Sequence, residues 1–182
     1  MLKTITVFCG SANSCSDKFK EMAEHMGRVI AKQGRRLVYG AGSRGLMGIV
    51  AKSAQEEGGY VIGIDTKRFE GSKYKLEVDE YIITETMQER KVKLLELSDA
   101  SITIPGGIGT FDELTEVFSL AQLGIIDKPF GILNFDNYFD GFLEQMRRAH
   151  EEKFIKDHDM ERLIVADDVE TLLALLDDYQ NK

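Results

Sequence analysis

Short apolar runs alternate with amphipathic stretches along almost the whole chain, and this alternation restricts the fold more than any other feature. Strands are expected at Thr4–Phe8, Arg36–Tyr39, Tyr60–Ile64, Glu80–Ile83, Ala100–Ile104, Phe130–Leu133 and Leu163–Val165. Helical periodicity fills most gaps: Asp17–Gln33, Leu46–Glu57, Met87–Leu97, Thr110–Leu123, Tyr138–Glu152 and Val169–Tyr179. Such alternation builds βαβ units, and so a parallel sheet with helices on both faces. The strands are continuously apolar, as strands buried on both faces should be. The expected class is α/β: a doubly wound, Rossmann-like parallel sheet of about seven strands. With two prolines, no repeat and no linker, residues 1–182 read as one nucleotide-binding domain. Residues 66–79 are the one long irregular stretch, either a flap over a site or a solvated loop.

Composition excludes several classes. The net charge of −8 argues against a nucleic-acid partner, because phosphate neutralisation needs a surplus of Lys and Arg. No apolar run reaches the length of a membrane span, and MLKTITVF reads as a first strand rather than a signal peptide. Cys9 and Cys15 are too few for a disulfide framework, which fits a reduced cytoplasmic protein. His25, His150 and His158 form no ligand pattern, so no metal site is expected.

Ligands of such sheets bind beyond the carboxyl ends of the strands. Three strand ends here run into small residues: FCGSANS, YGAGSRGLMG and IPGGIGT. Three on one edge point to a nucleotide-sized ligand. GAGSRG (residues 40–45) matches G-x-G-x-x-G, and Asp65 follows about 20 residues later, as a dinucleotide site would have it. Yet the motif opens the second βα unit and leaves PGGIGT without a task. Gly42, Ser43 and Gly45 are therefore expected to bind nucleotide phosphate, ahead of merely allowing tight turns and close helix–strand contact, with NAD well behind both. PGGIGT lacks the Lys of a Walker loop. Gly106, Gly107, Ile108, Gly109 and Thr110 would offer N–H groups, a hydroxyl and a helix dipole to one phosphate.

Two carboxylates follow that turn. Thr110 to Glu113 reads as a capping box, with Glu113 a helix cap. A bound phosphate would compete for the same N–H groups. Glu113 could then face the ribose, where a carboxylate stabilises the oxocarbenium-like transition state of N-glycosidic cleavage. Asp112 should point elsewhere on the helix. In MQERKVKLLEL, Arg90 falls inside the apolar stripe of Met87, Leu94 and Leu97, with Lys91 at its edge. A charge on a core-facing stripe needs a partner: a structural ion pair, such as Glu113, or a ligand oxyanion. Gly10 and Ser11, at the end of the first strand, are candidates for the base pocket. Cys9 reads as a small buried residue, and Met87 as either a base contact or core.

Met87-Gln88-Glu89-Arg90-Lys91 and Pro105-Gly106-Gly107-Ile108-Gly109-Thr110-Phe111-Asp112-Glu113 resemble the M-x-x-R-K and P-G-G-x-G-T-x-x-E pair of the Lonely guy (LOG) family. The resemblance covers nearly the whole chain, including FCGS, YGAGSRGLMG and AQLGIIDKPFGILN. It implies a modified Rossmann fold and a homodimer with active sites near the subunit interface. It also implies a phosphoribohydrolase acting on AMP or an N6-substituted adenosine monophosphate, without metal or redox cofactor. Arg90 and Glu113 match the catalytic positions, and Lys91 with Gly106–Thr110 the phosphate and ribose contacts. The chain departs at Leu120, where many relatives carry Trp, at Asp112, where Glu is common, and in residues 66–79. Two other classes are an NAD-type oxidoreductase and a nucleotide-binding module without chemistry.

Overall fold

The computed structural model describes residues 1–180. The strands are β1 (Thr4–Phe8), β2 (Arg36–Tyr39), β3 (Val61–Thr66), β4 (Glu80–Thr84), β5 (Ala100–Thr103), β6 (Phe130–Leu133) and β7 (Leu163–Ala166). The helices are α1 (Asp17–Lys32), α2 (Gly45–Glu56), α3 (Met87–Glu96), α4 (Ile108–Gln122), α5 (Asp140–Glu151), α6 (Asp157–Met160) and α7 (Val169–Gln180). Among the described residues, the strands form one seven-stranded sheet in the order β4-β3-β2-β1-β5-β6-β7, and every pairing is parallel. The order reverses between β1 and β5. That is where the carboxyl ends of two strands diverge and leave a crevice.

Each central strand feeds two cores. Ile5 and Val7 of β1 pack with Met26, Ile30 and Val50 of α1 and α2, and with Leu172 and Leu176 of α7. Phe8, Val38 and Ile64 face Leu94, Val117 and Phe118 of α3 and α4. Thr6 is fully buried but not orphaned, because its hydroxyl donates to the Leu94 carbonyl (2.8 Å). Burying Leu94 completely is worth roughly 2–5 kcal/mol by comparison with truncation to Ala. No helix among the described residues is long and apolar enough to cross a membrane.

Three element boundaries differ from the sequence reading by two residues. β3 runs on to Thr66, because β4 continues to pair with it through Asp65↔Ile83 and Thr66↔Thr84. The helix expected from Tyr138 begins at Asp140. Buried Asn134 accepts from the Phe139 N–H (2.8 Å) and donates to Asp140 (2.9 Å), stapling a 3-10 turn (Phe135–Asn137) ahead of it. The short α6 lacks the periodicity that reveals longer helices.

Candidate active site

The third difference in boundary defines the site. α4 begins at Ile108, two residues earlier than expected, with Gly107 as its extended N-cap (φ −99°, ψ −154°). Glycine is an acceptable cap, so the Thr-x-x-Glu spacing misleads. Thr110 is buried inside the first turn and Glu113 is not a capping carboxylate. The amides of Ile108 and Gly109 have no intrahelical acceptor, and the helix dipole lies behind them. A Cβ at Gly107 or Gly109 would meet nothing within 4 Å, so the turn is open on its outer side. Gly106 is closed in. A Cβ there would stand 2.0 Å from the Thr110 hydroxyl oxygen and 2.6 Å from the Gly10 nitrogen.

This turn meets the end of β1 across the crevice. Gly10 N–H donates to the Pro105 carbonyl (3.0 Å), and the Tyr138 hydroxyl donates to the Gly106 carbonyl (2.6 Å). The result is a cavity of about 630 Å³, within the range of small-ligand sites. Gly10, Ser11, Met87, Arg90, Lys91, Glu113 and the Gly106–Thr110 turn all line it. Gly10, expected with Ser11 at the base pocket, lines the cavity beside Gly106. Asp112, expected to point away, lines the same cavity.

Glu113 and Arg90 form the inner wall. Arg90 is buried at 8% exposure in the α3 face that packs on β3. Its Nε donates to the Ile64 carbonyl (2.9 Å) and Nη2 to the Gly40 carbonyl (3.2 Å). Nη1 lies 3.5 Å from Glu113 Oε1, a weak contact at best. The fork is thus fixed by two backbone carbonyls and only lightly engaged by the acid. Burial pushes the Glu113 carboxyl up to about 7; Arg90 opposes this and the nearby Asp112 charge adds to it. Lys91 is held by Asp112 (3.2 Å) and Glu116 (3.1 Å). Burial pulls its ammonium down, but the hydrogen bonds to Glu116 and Asp112 more than offset this and leave it raised. Cys9 is buried, and burial pushes its thiol far above the usual range, so it is inert packing as expected.

The GAGSRG turn does not reach this cavity. Gly42, Ser43 and Gly45 were expected to bind substrate; none of them lines this cavity, and Gly42 lines a smaller one beside it that shares Met87 and Arg90. The Gly45 N–H donates to Asn13 (2.8 Å), and that of Ser43 to the Tyr74 carbonyl (2.9 Å). Gly40 serves Arg90: a Cβ there would stand 1.9 Å from Nη2. Asp65 is buried, with its oxygens accepting from the Thr66 N–H and the Tyr81 hydroxyl (2.8 Å each), so it supports the β3–β4 edge. Cavity residues that the sequence reading missed include Cys15, Phe19 and Tyr138. Phe19 and Tyr138 meet edge to face at 5.5 Å from distant parts of the chain, and no local pattern announces that pairing.

Residues 47–176 match a family model described as possible lysine decarboxylase. The chain is 38% identical over 178 residues to the cytokinin riboside 5′-monophosphate phosphoribohydrolase LOG3 of Arabidopsis thaliana, covering 97% of this chain and 83% of that one. It is also 38% identical over 178 residues to the cytokinin riboside 5′-monophosphate phosphoribohydrolase of Rhodococcoides fascians, covering 96% and 89%. Among solved structures, the molybdenum cofactor carrier protein of Chlamydomonas reinhardtii superposes with a TM-score of 0.73 at 24% identity, over 100% of both chains. The molybdenum cofactor binding protein of Rippkaea orientalis gives 0.74 at 22%, over 98% and 97%. At these identities the structural likeness concerns the fold alone.

Proposed function

The chain belongs to the Lonely guy (LOG) family of cytokinin riboside 5′-monophosphate phosphoribohydrolases, and we propose that it hydrolyses the N-glycosidic bond of an adenine-type nucleoside 5′-monophosphate. The products are free base and ribose 5-phosphate. The observation that carries this reading is Glu113, a mostly buried carboxyl that lines one cavity together with the open first turn of α4 and the fixed Arg90 fork. AMP and its N6-substituted forms are the proposed substrates.

The 5′-phosphate docks on the amides at the start of α4, with Thr110 and Lys91 nearby. Arg90 faces a phosphate or ribose oxygen with a fork already held by Ile64 and Gly40. Glu113 stands at the anomeric carbon. As the bond from that carbon to the base nitrogen stretches, the carboxylate stabilises the developing cation. A water oxygen then bonds to the anomeric carbon while Glu113 takes its proton, and the base departs with the bonding electron pair and takes up a proton from solvent. Lysine decarboxylation would instead need pyridoxal phosphate on a Schiff-base lysine. Lys91 lines the cavity, but two carboxylates hold its ammonium charged, which opposes that role.

The test is chromatographic. The protein is incubated with AMP and with an adenosine monophosphate carrying N6-isopentenyl, and free base and ribose 5-phosphate are quantified. Their release by wild type, and its loss in Glu113→Gln and Arg90→Ala, is the expected result. Nucleotide that binds and stays intact would reduce the site to a phosphate cradle.

The protein is further proposed to be one domain, homodimeric and cytoplasmic. The apolar residues of Leu114–Leu123 largely serve the protomer: Leu114, Val117, Phe118 and Ala121 are buried in its own core. Exposed Ile108, Leu123 and Ile125 are better candidates, and light scattering would measure the assembly. Two unpaired cysteines favour a reducing compartment.

A further inference from the structure

Three successive carbonyls shape the turn that opens α4, and each has a donor. The Gly10 N–H holds the Pro105 oxygen (3.0 Å), and the Thr110 and Phe111 amides hold that of Gly107 (3.0 and 3.1 Å). Between them, the Gly106 oxygen accepts from the Tyr138 hydroxyl (2.6 Å). In a trans peptide the carbonyl and the N–H of the next residue point in opposite directions. Fixing these three carbonyls therefore also aims the amides of Gly106, Gly107 and Ile108. Two of the restraints run from backbone to backbone and survive a change of side chain. The third depends on one phenol. It acts on the peptide with the least restraint of its own, because a glycine stands on either side of it.

The support behind that phenol is firm. Tyr138 directly follows the 3-10 turn after β6, and its neighbour Phe139 is fully buried with Leu114 of α4 and Ile132 of β6. Phe111 of α4 meets the Phe139 ring edge to face (5.9 Å). The Tyr138 ring is held edge to face by Phe19 of α1 (5.5 Å) and by Phe139 (5.1 Å). Its side chain lines the same cavity as the turn. The hydroxyl proton is already given to Gly106, so Tyr138 serves an anion through that peptide. Without the phenol, the Gly106–Gly107 peptide is free to turn its oxygen into the cavity. That change removes one N–H from the anion and sets a carbonyl dipole against it.

Resting on the phosphoribohydrolase reading for the place of the 5′-phosphate, we propose that Tyr138 is a positioning residue whose hydroxyl holds the Gly106–Gly107 peptide with its N–H towards the phosphate. Tyr138 sets the affinity for the phosphate end of the substrate and leaves the bond-breaking step to Arg90 and Glu113.

Tyr138→Phe keeps both ring contacts and deletes only the donor. Isothermal titration of wild type and variant with ribose 5-phosphate and with inorganic phosphate reads the cradle, and steady-state hydrolysis of AMP reads KM and kcat. The expected result is a rise in both dissociation constants of roughly three- to tenfold, the scale of one net hydrogen bond. KM for AMP should rise with them while kcat stays within about twofold, as for an interaction made equally in ground and transition states. Unchanged dissociation constants overturn the assignment, even where the variant unfolds at lower urea, and so does a fall in kcat at constant KM. Wild type that binds both phosphates yet releases no base from AMP overturns the hydrolase reading alone, and the two dissociation constants still decide on Tyr138. Wild type that binds neither overturns the cradle, and the assignment with it.

Discussion

Glu113→Gln should make the protein more stable at pH 8, although it removes a charge next to an arginine. Glutamine keeps the shape and deletes the ionisation. Folding raises the Glu113 carboxyl from 4.5 to about 7, mainly by burial, against which the 3.5 Å contact with Arg90 is a weak compensation. The folded state therefore holds its proton more tightly than the unfolded chain does. Stability falls as pH rises from about 4.5 to about 7, and the loss is complete above that. The full shift is worth on the order of 3 kcal/mol, reduced in practice by residual solvent and by relaxation. Arg90 keeps its bonds to Ile64 and Gly40 in the variant. Wild type and variant should unfold at similar urea concentrations at pH 4.5. At pH 8 the variant should be more stable by about 1–3 kcal/mol, or several degrees in Tm for a chain of this size. Urea titrations of both proteins across this range measure the effect. A variant less stable than wild type at pH 8 would refute the reasoning, because the ion pair would then outweigh desolvation.

The same shift governs activity. A base must be ionised, so kcat/KM should climb about tenfold per pH unit below about 7 and level off above it; a pH–rate profile reads this limb. Gly40→Ala would force the Arg90 guanidinium to move, since its Cβ would fall 1.9 Å from Nη2. Base release should drop at least tenfold, at a stability cost of about 1–3 kcal/mol, and the acidic limb should shift upward as Arg90 ceases to hold the Glu113 carboxyl down. Asp65→Ala strands the Tyr81 hydroxyl and the Thr66 N–H, so urea unfolding should reveal a loss of about 1–3 kcal/mol. Isothermal titration with NAD should give no heat that depends on Asp65, contrary to a dinucleotide site.

Periodicity made the sheet legible. Each of β1 to β7 was anticipated to within two residues at either end, because each is a short, mostly apolar run bounded by turns or helical periodicity. Arg90 was legible for a related reason: a charge on an apolar stripe must have partners, and the Ile64 and Gly40 carbonyls and Glu113 are those partners. The failures share a cause. GAGSRG and Thr-x-x-Glu are local patterns whose meaning depends on what the fold places next to them. One turn anchors a flap and shapes the seat of Arg90, and the other lies inside a helix that Gly107 already caps. Tyr138 and Phe19 were not legible at all, since their meeting at the cavity depends on the packing of α1 beside the 3-10 turn after β6.

The central claim is that Glu113 acts at the anomeric carbon rather than capping a helix. Single-turnover release of adenine from AMP by wild type and Glu113→Gln, with AMP affinity measured on the same samples, tests it most directly. The prediction is a loss of about 10²–10⁴ in the rate of base release with AMP still bound by the variant. Release at the wild-type rate from Glu113→Gln would contradict the account.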